Sequence, residues 1–314
     1  MYGSRGLKIL IMGLIPAVSF AQTECNYFSN MNESGLTTGT PAANGFDSAK
    51  LALVDKQINQ DIQNGFPGAG LLIIKDGKVV KQTVYGYSLK FDPQSLQPLA
   101  KPRLLRCSSL FDLASNTKMY ATNFAIMQLV SEGKLNLDKP IHVYIPEYTG
   151  CDLNDQCRET RTVRDLLTHS AGYMPDPQFF NPSSVAHYGA GLYSQNRNMT
   201  ESILYTKLPF ADVRGGKPNY SDVDFMLLGL IVEKISGLSL DSYVEKNLYQ
   251  PLNLKSTWFN PLNHGYEAAD CAATEVMGNT RGGTVNFPNI RTKPLQCQVH
   301  DEKAFYSMGG ISGH

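Results

Sequence analysis

A serine and a lysine with the chemistry of a nucleophile and its activator, Ser115 and Lys118, lie three positions apart at the start of a predicted helix. Because side chains three residues apart share one face of a helix, the hydroxyl and the ammonium would be neighbours. The unpaired backbone N–H groups and the positive dipole end of a helix N-terminus also favour a developing alkoxide. This pattern predicts a nucleophilic serine.

The spacing alone is weak evidence, because a chain of 314 residues contains about one Ser-x-x-Lys by chance. A second pair with this spacing, Ser131 and Lys134, lies at the far end of the same predicted helix, where no helix N-terminus supports the serine. The alternative role for Ser115 is a helix cap. Partners elsewhere in the chain must distinguish the two roles.

The helix that carries Ser115 is predicted from a stretch that is apolar on nearly every side, 120–130, and it ends at Gly133. Such a pattern predicts a helix buried in the middle of a domain. The sequence remains largely helical from 111 to about 262 and loses its periodicity beyond Pro261.

The chain before this helical region predicts an α/β part. A helix is expected over about 47–64, followed by two β-rich runs, 69–74 and 79–85, around a Lys-Asp-Gly-Lys turn that predicts a hairpin. One hairpin alone is a marginal sheet, and the later sequence offers no further strand. We therefore expect the chain to lack a C-terminal part; the alternative is a mainly helical domain with a small two-stranded wing.

The composition is that of an ordinary globular protein with one large domain or two lobes: 42% of the residues are hydrophobic and 18% are charged. The formal net charge is zero, and no basic run is present. These features give no support to nucleic-acid binding or to electrostatic attachment to a membrane. They favour a small or neutral substrate.

Residues 1–21 combine a basic start, an apolar run from Ile9 to Phe20 and small residues at a cleavage position, which predicts a secretory signal peptide. The protein would then be periplasmic or secreted, and the alternative is an uncleaved anchor in the inner membrane. The polar stretch 22–45 is predicted to be a flexible leader.

The six cysteines are compatible with disulfides in an exported protein. Cys151 and Cys157 bracket a short polar loop and are predicted to pair. No cysteine has a histidine neighbour at ligand spacing, so no metal site is expected.

Three stretches in this order and separation resemble the class C β-lactamase-like group of penicillin-recognising serine hydrolases. They are FDLASNTKMYATNFAIMQLVSEGKLNLDKPI, VRDLLTHSAG and NYSDVDFMLLGLIVEKISG. The likeness is greatest to periplasmic penicillin-binding proteins assigned as D-alanyl-D-alanine carboxypeptidases, whose tyrosine motif also ends in Asp. The resemblance extends over 47–314.

The resemblance implies a β-lactamase/transpeptidase-like fold, an α/β lobe plus an all-α lobe, whose antiparallel sheet takes strands from both ends of the chain. We expect one domain over 46–314, with an N-terminal α/β part at 46–110, a helical lobe at 111–262, and the start of the return to the α/β lobe at 263–314. The group also carries a third motif, Lys or His followed by Thr or Ser and Gly, on a late strand. This sequence contains no such motif, so its sheet would lack the C-terminal strands.

The resemblance also implies roles for the site residues. Ser115 would attack a carbonyl to form an acyl-enzyme, with Lys118 beside it as a base or a fixed positive charge, and Tyr220 would approach the serine hydroxyl from the other side. A tyrosine with its free pKa of ~10 is a poor base, but a neighbouring ammonium favours the phenolate. The alternative for Tyr220 is a buried aromatic residue before a helix.

Asp222 stands where the commoner motif has Asn, so an amide that can donate to substrate is replaced by a carboxylate that only accepts. Our hypothesis is that Asp222 pairs with Lys118 and holds it charged, leaving Tyr220 as proton acceptor; its alternative role is a helix cap. His169, His300 and Asp301 suggest a Ser-His-Asp set. A lysine–tyrosine pair makes a histidine base unnecessary, so both histidines are expected to structure loops.

These expectations predict a serine hydrolase, most simply a D-alanyl-D-alanine carboxypeptidase that acts on cell-wall peptides and binds β-lactams, without a cofactor. An esterase or weak β-lactamase of the same family is the alternative within enzymes. A non-catalytic cell-wall binder or inactive fragment is the alternative outside them. Peripheral or anchored association with the inner membrane is compatible with either.

Overall fold

The computed structural model of the protein describes residues 21–25 and 36–314, so the predicted signal peptide lies almost wholly outside the described residues. The chain divides into two compact units. The first, the α/β unit, comprises the described residues up to Tyr87 together with Arg103–Cys107. The second, the helical unit, comprises Ser88–Pro102 and Ser108–His314. No helix within the described part of the chain has the length and apolar character to cross a membrane.

The sheet is organised around one long strand, β4. In chain order the strands are β1 (Gln22–Glu24), β2 (Thr37–Thr38), β3 (Gly68–Lys75), β4 (Lys78–Phe91) and β5 (Pro98–Leu104). All the other strands pair with β4: β3 and β1 antiparallel from opposite edges, and β2 parallel. The predicted α/β part is confirmed, but the sheet is mixed rather than purely antiparallel.

Local sequence explains the first elements of the α/β unit. Helix α1 (Ser48–Gln63) begins where the Asp47 carboxylate accepts hydrogen bonds from the first free backbone N–H groups. The β3–β4 hairpin turns at Asp76 and Gly77, both with positive φ, as the sequence predicts.

The predicted flexible leader, 22–45, contributes more structure than its polar composition indicates. Its described residues form β1, β2 and the short 3-10 helix Ala42–Asn44. The Cys25–Cys107 disulfide fixes this segment within the α/β unit. The exposed edge of β4 supplies hydrogen-bond partners that the polar sequence cannot find alone, so pairing orders the segment.

The helical unit contains six α-helices in its described residues. They are α2 (Phe124–Ser131), α3 (Val163–Leu167), α4 (Val185–Tyr188), α5 (Arg197–Ser202), α6 (Asp222–Ser236) and α7 (Leu240–Val244). A 3-10 turn (Ala114–Asn116) and a π-helical segment (Lys118–Asn123) precede α2 and run into it, and we call this continuous element the 114–131 helix. The core of the unit forms where α2 and α6 contribute buried residues such as Ile126, Leu129 and Met226.

The prediction that the 114–131 helix is buried on all sides is wrong for one of its faces. Large apolar side chains on that face are exposed, namely Met119, Tyr120, Phe124 and Met127. Apolar composition all round a helix removes the polar stripe that marks a solvent face, so periodicity could not identify the exposed side.

The segment 263–314 belongs to the helical unit. That it begins a return to the α/β part stays a prediction. Its last residues lie against two helices of that unit. The Thr122 hydroxyl donates to the Gly313 carbonyl at 2.6 Å, and Gly313 contacts Gly229 of α6. The missing side chains of the two glycines allow the backbones to approach this closely.

The cysteine pairing predicted across the short loop is confirmed: Cys151 and Cys157 form a disulfide. The remaining cysteines also pair, Cys25 with Cys107 and Cys271 with Cys297, so no free thiol remains.

Candidate active site

The structure brings the predicted serine and lysine together. Lys118 Nζ donates a hydrogen bond to Ser115 Oγ at 3.0 Å. Lys118 is only 4% exposed, whereas Ser115 is exposed. The lysine therefore contacts the serine hydroxyl from the buried side of the helix. Ala114 has a φ of 46°, a conformation that is uncommon outside glycine, and its N–H donates to Asp112 Oδ1 at 2.8 Å. This tight turn places the serine at the beginning of the helix.

Asp222 is the counter-ion of Lys118. Its Oδ1 accepts from Lys118 Nζ at 2.8 Å, and it is the first residue of α6, directly after the cap residue Ser221. Burial alone would raise the pKa of Asp222. The charges of His314 and Lys303 and the hydrogen bond from Lys118 outweigh that effect, and the pKa lies below its ordinary value. The ionised carboxylate is therefore the counter-charge that lies against Lys118 Nζ.

Tyr220 lies beside the same ammonium, but with its ring rather than its hydroxyl. Lys118 Nζ is 4.8 Å from the ring centroid, a cation–π contact. The residue is 50% exposed, not buried, and its hydroxyl makes no hydrogen bond to any described residue. The tyrosine hydroxyl is thus available to a group that enters the site.

A second lysine, Lys303, joins this cluster and was not identified from the sequence. Its side chain is 4% exposed, and its Nζ lies 3.1 Å from Asp222 Oδ2, 2.5 Å from Asp176 and 3.4 Å from Asp301. Asp301 is two residues away in the sequence, but Asp176 and Asp222 come from distant segments, so no local spacing could reveal the whole cluster. Its only sequence signal is a lysine that precedes the apolar run 304–306.

The charges in this cluster stabilise one another. Burial alone would lower the pKa of Lys303, but the carboxylates of Asp301, Asp222 and Asp176 raise it well above its usual range. His314 Nε2 lies 3.0 Å from Asp301 Oδ1. Burial alone would raise the pKa of Asp301, but His314 and Lys303 hold it far below its usual range.

The histidines do not form a Ser-His-Asp set with Asp301. His300 Nε2 lies 3.3 Å from Glu275, and its backbone N–H donates to Asp112 at 2.7 Å, which is a loop-structuring arrangement. His169 Nδ1 lies 2.8 Å from Asp224 Oδ2.

His169 also lies closer to the site than a loop-structuring residue need be. Its ring centroid is 4.7 Å from that of Tyr220 and 5.4 Å from that of Phe225. The Ser221 backbone N–H, one residue before Asp222, donates to His169 Nδ1 at 3.2 Å. His169 therefore supports the turn that carries Tyr220.

Two groups of side chains in the described residues have the donor types of a metal site. The first group is Cys151, Cys157 and Glu159. Its two cysteines are joined to each other in a disulfide, so their sulfurs are not thiolate ligands. The other group is Asp222, Asp301 and His314, but both carboxylates of this group pair with Lys303. The Lys303 ammonium already neutralises the two carboxylates that a metal cation would neutralise, so this set of donor atoms does not fit a metal.

Comparison with known proteins identifies the family. The beta-lactamase family model matches residues 51–295. A putative D-alanyl-D-alanine carboxypeptidase of Escherichia coli (strain K12) is 48% identical over 89% of this chain and 63% of its own length. An N-acetylmuramyl-L-alanine amidase of Bacillus subtilis (strain 168) is 46% identical over 95% of this chain and 65% of its own length. The chain thus spans somewhat less than two thirds of these relatives.

Solved structures agree with this assignment. The octameric penicillin-binding protein homologue from Pyrococcus abyssi matches with a TM-score of 0.56 and 25% identity, over 80% of this chain and 51% of that one. The family model covers most of the sequence, and the resemblance seen in the three sequence stretches is confirmed. The chain belongs to the beta-lactamase family.

Proposed function

We propose that this chain is the acyl-enzyme-forming part of a serine hydrolase that cleaves D-alanyl-D-alanine-terminated cell-wall peptides. One observation carries the proposal: the exposed Ser115 hydroxyl accepts a 3.0 Å hydrogen bond from a buried lysine whose counter-ion is Asp222. An ammonium in this position stabilises negative charge that develops on the serine oxygen. Relatives named as a carboxypeptidase and as an amidase support amide cleavage in particular.

In the proposed mechanism Lys118 serves as a fixed positive charge, paired with Asp222 at 2.8 Å. Tyr220, whose ring centroid lies 4.8 Å from Lys118 Nζ, is the proposed base. It accepts the Ser115 proton as Oγ attacks the carbonyl of the penultimate D-alanine. The tetrahedral intermediate collapses, the C–N bond breaks, and the departing amine takes the proton from Tyr220.

Hydrolysis of the acyl-enzyme completes the cycle. Tyr220 accepts a proton from water, the resulting hydroxide equivalent attacks the ester carbonyl, and Ser115 Oγ leaves and takes that proton back from Tyr220. No metal or organic cofactor takes part.

A periplasmic or secreted location, reached through the signal peptide at 1–21, forms part of the proposal. All six cysteines are paired, which is typical of oxidising compartments. Cell-wall peptides and β-lactams would be met there, and peripheral or anchored association with the inner membrane is compatible with it.

A second candidate reaction is cleavage of the muramyl–L-alanine amide, which the name of the Bacillus subtilis relative favours. The esterase and weak β-lactamase alternatives differ from a carboxypeptidase in the lifetime of the acyl-enzyme. All of them use the same nucleophile, so that residue is tested first.

The experiment is incubation of the purified protein with a fluorescent penicillin, followed by mass spectrometry of the labelled peptide. We expect one adduct on Ser115 and its loss in Ser115→Ala. The matched control is Ser131→Ala, which removes the serine of the second Ser-x-x-Lys pair at the exposed end of the same helix and should label normally.

Release of D-alanine from a D-alanyl-D-alanine-terminated peptide, set against cleavage of a muramyl-L-alanine amide, then separates the two candidate reactions. A lasting adduct favours the carboxypeptidase, and rapid turnover of the penicillin favours a β-lactamase. Absence of an adduct on Ser115 in the folded protein would contradict the proposed chemistry.

A further inference from the structure

The buried lysine at the centre of the carboxylate cluster needs an explanation beyond fold stability. A buried ammonium costs several kcal/mol in lost hydration unless its partners repay that cost, and apolar residues often fill such a position more stably. The Lys303 side chain is only 4% exposed, and it contacts three carboxylates. One of these belongs to Asp222, the counter-ion of Lys118.

Asp222 uses its two oxygens on two different lysines. Oδ1 lies 2.8 Å from Lys118 Nζ, and Oδ2 lies 3.1 Å from Lys303 Nζ. A carboxylate held at both oxygens cannot rotate without breaking an ion pair. Lys303 therefore fixes the orientation of the Asp222 carboxylate. That orientation in turn fixes the position of the Lys118 ammonium.

We propose that Lys303 is a positioning residue of this site: by holding Oδ2 of Asp222 it keeps Oδ1 on Lys118 and so keeps the Lys118 ammonium on Ser115. The inference rests on the proposed function, because it assigns a role in the acylation of Ser115. Lys303 is too deeply buried to bind the carboxylate of a substrate itself, which separates this role from substrate binding.

Lys303 is in turn held from two further directions. Asp176 lies 2.5 Å from its Nζ, and Asp301, itself paired with His314, lies 3.4 Å away. These contacts do not involve Asp222. They hold the Lys303 ammonium in place, so that its position does not depend on the Asp222 carboxylate.

Several charged groups face Asp222 and bear on its ionisation. The cations are Lys118, Lys303 and His314, and the anion of its own helix is Asp224. Removal of Lys303 would leave Asp176 without this partner, and Asp301 would be paired with His314 but no longer with a lysine. The loss of the positive charge of Lys303 and the unbalanced negative charge of Asp176 both make ionisation of Asp222 less favourable. The acid limb of the pH profile of acylation should therefore move to higher pH.

The test measures the second-order rate of Ser115 acylation by a fluorescent penicillin against pH. We expect Lys303→Met to lower the rate about 10- to 100-fold, the loss typical of a misplaced catalytic group, and to move the acid limb to higher pH. Lys303→Arg keeps the charge and should retain the acid limb. Asp176→Asn removes a Lys303 partner that does not touch Lys118, and should have the smaller effect.

A double-mutant cycle separates positioning from plain structural support. In an Asp222→Asn background the amide no longer forms ion pairs with the two lysines, so Lys303→Met should cost little further acylation. A Lys303→Met effect of equal size with and without Asp222, or an unchanged pH profile in folded Lys303→Met, would overturn the inference.

If the proposed function is wrong, the result differs from those above: the unaltered protein itself forms no penicillin adduct at any pH. In that case the titration of the Asp222 carboxyl, followed by NMR with ¹³C-labelled aspartate and assigned with Asp222→Asn, still tests the contact. It should move to higher pH in Lys303→Met and stay in place in Lys303→Arg. An Asp222 titration that is the same in all three proteins would refute the positioning role.

Discussion

Asp224 predicts an unusual dependence of stability on pH. The residue is 1% exposed, and its Oδ1 has no hydrogen-bond partner among the described residues, while Oδ2 lies 2.8 Å from His169 Nδ1. Burial raises the pKa of Asp224 from 3.8 to about 6, against the lowering effect of the His169 hydrogen bond. The folded state therefore binds this proton more tightly than the unfolded state, and the native protein loses stability as pH rises through that window.

The size of the effect follows from the shift. A rise of this size in a carboxyl pKa corresponds to about 3 kcal/mol of unfolding free energy that is lost above pH ~6 and is restored near pH ~4. Asp224→Asn has the shape of the neutral acid and cannot ionise. The variant should therefore be more stable than the unaltered protein by up to about 3 kcal/mol at pH ~8, with no gain at pH ~4.

The assay is urea unfolding of both proteins at intervals from pH ~4 to pH ~8, read as the difference in unfolding free energy at each pH. Asp155→Asn, at an exposed carboxylate in the same unit, is the control and should show no such trend. A stability difference between Asp224→Asn and the unaltered protein that stays constant across the range would refute the reasoning. So would a difference that grows towards acid.

The other predictions concern the packing of the chain. Gly313→Ala would place a Cβ 2.2 Å from the Phe225 carbonyl oxygen and should lower the unfolding free energy by about 1–3 kcal/mol, whereas Gly191→Ala, with open space around it, should not. Serine replacement of the Cys25–Cys107 pair, 82 residues apart, should cost about 4–5 kcal/mol in urea unfolding, and replacement of the Cys151–Cys157 pair, six apart, about 2. An equal cost for both pairs would contradict the loop-entropy argument.

Local patterns account for the parts of the site that could be predicted. The contact of Ser115 with Lys118 follows from helical spacing, and the pairing of Asp222 with Lys118 was a hypothesis from charge and is present as a 2.8 Å ion pair. The β3–β4 hairpin and the cap at Asp47 are likewise encoded within a few residues. Whether these site residues perform the proposed reaction stays a prediction.

The rest depended on contacts between segments far apart in the sequence. The sequence around Lys303 is that of an ordinary surface lysine. Its burial depends on Asp176 and Asp222, which only the folded chain places beside it. β1 and β2 are polar and become strands only because β4 offers an edge. The exposed face of the 114–131 helix is as apolar as its buried face, so no periodicity distinguishes them.

The Gly313 contact has a consequence for the order of folding. The hydrogen bond from Thr122 to Gly313 joins residues 191 positions apart, and Gly313 also lies against α6. The helix that carries Lys118 and the helix that carries Asp222 thus share a contact residue, Gly313, that is synthesised after both of them. Contacts of such long range form late and slow folding. Until Gly313 has been synthesised, a nascent chain lacks this contact between the two helices, so we expect the site to mature only after this segment emerges.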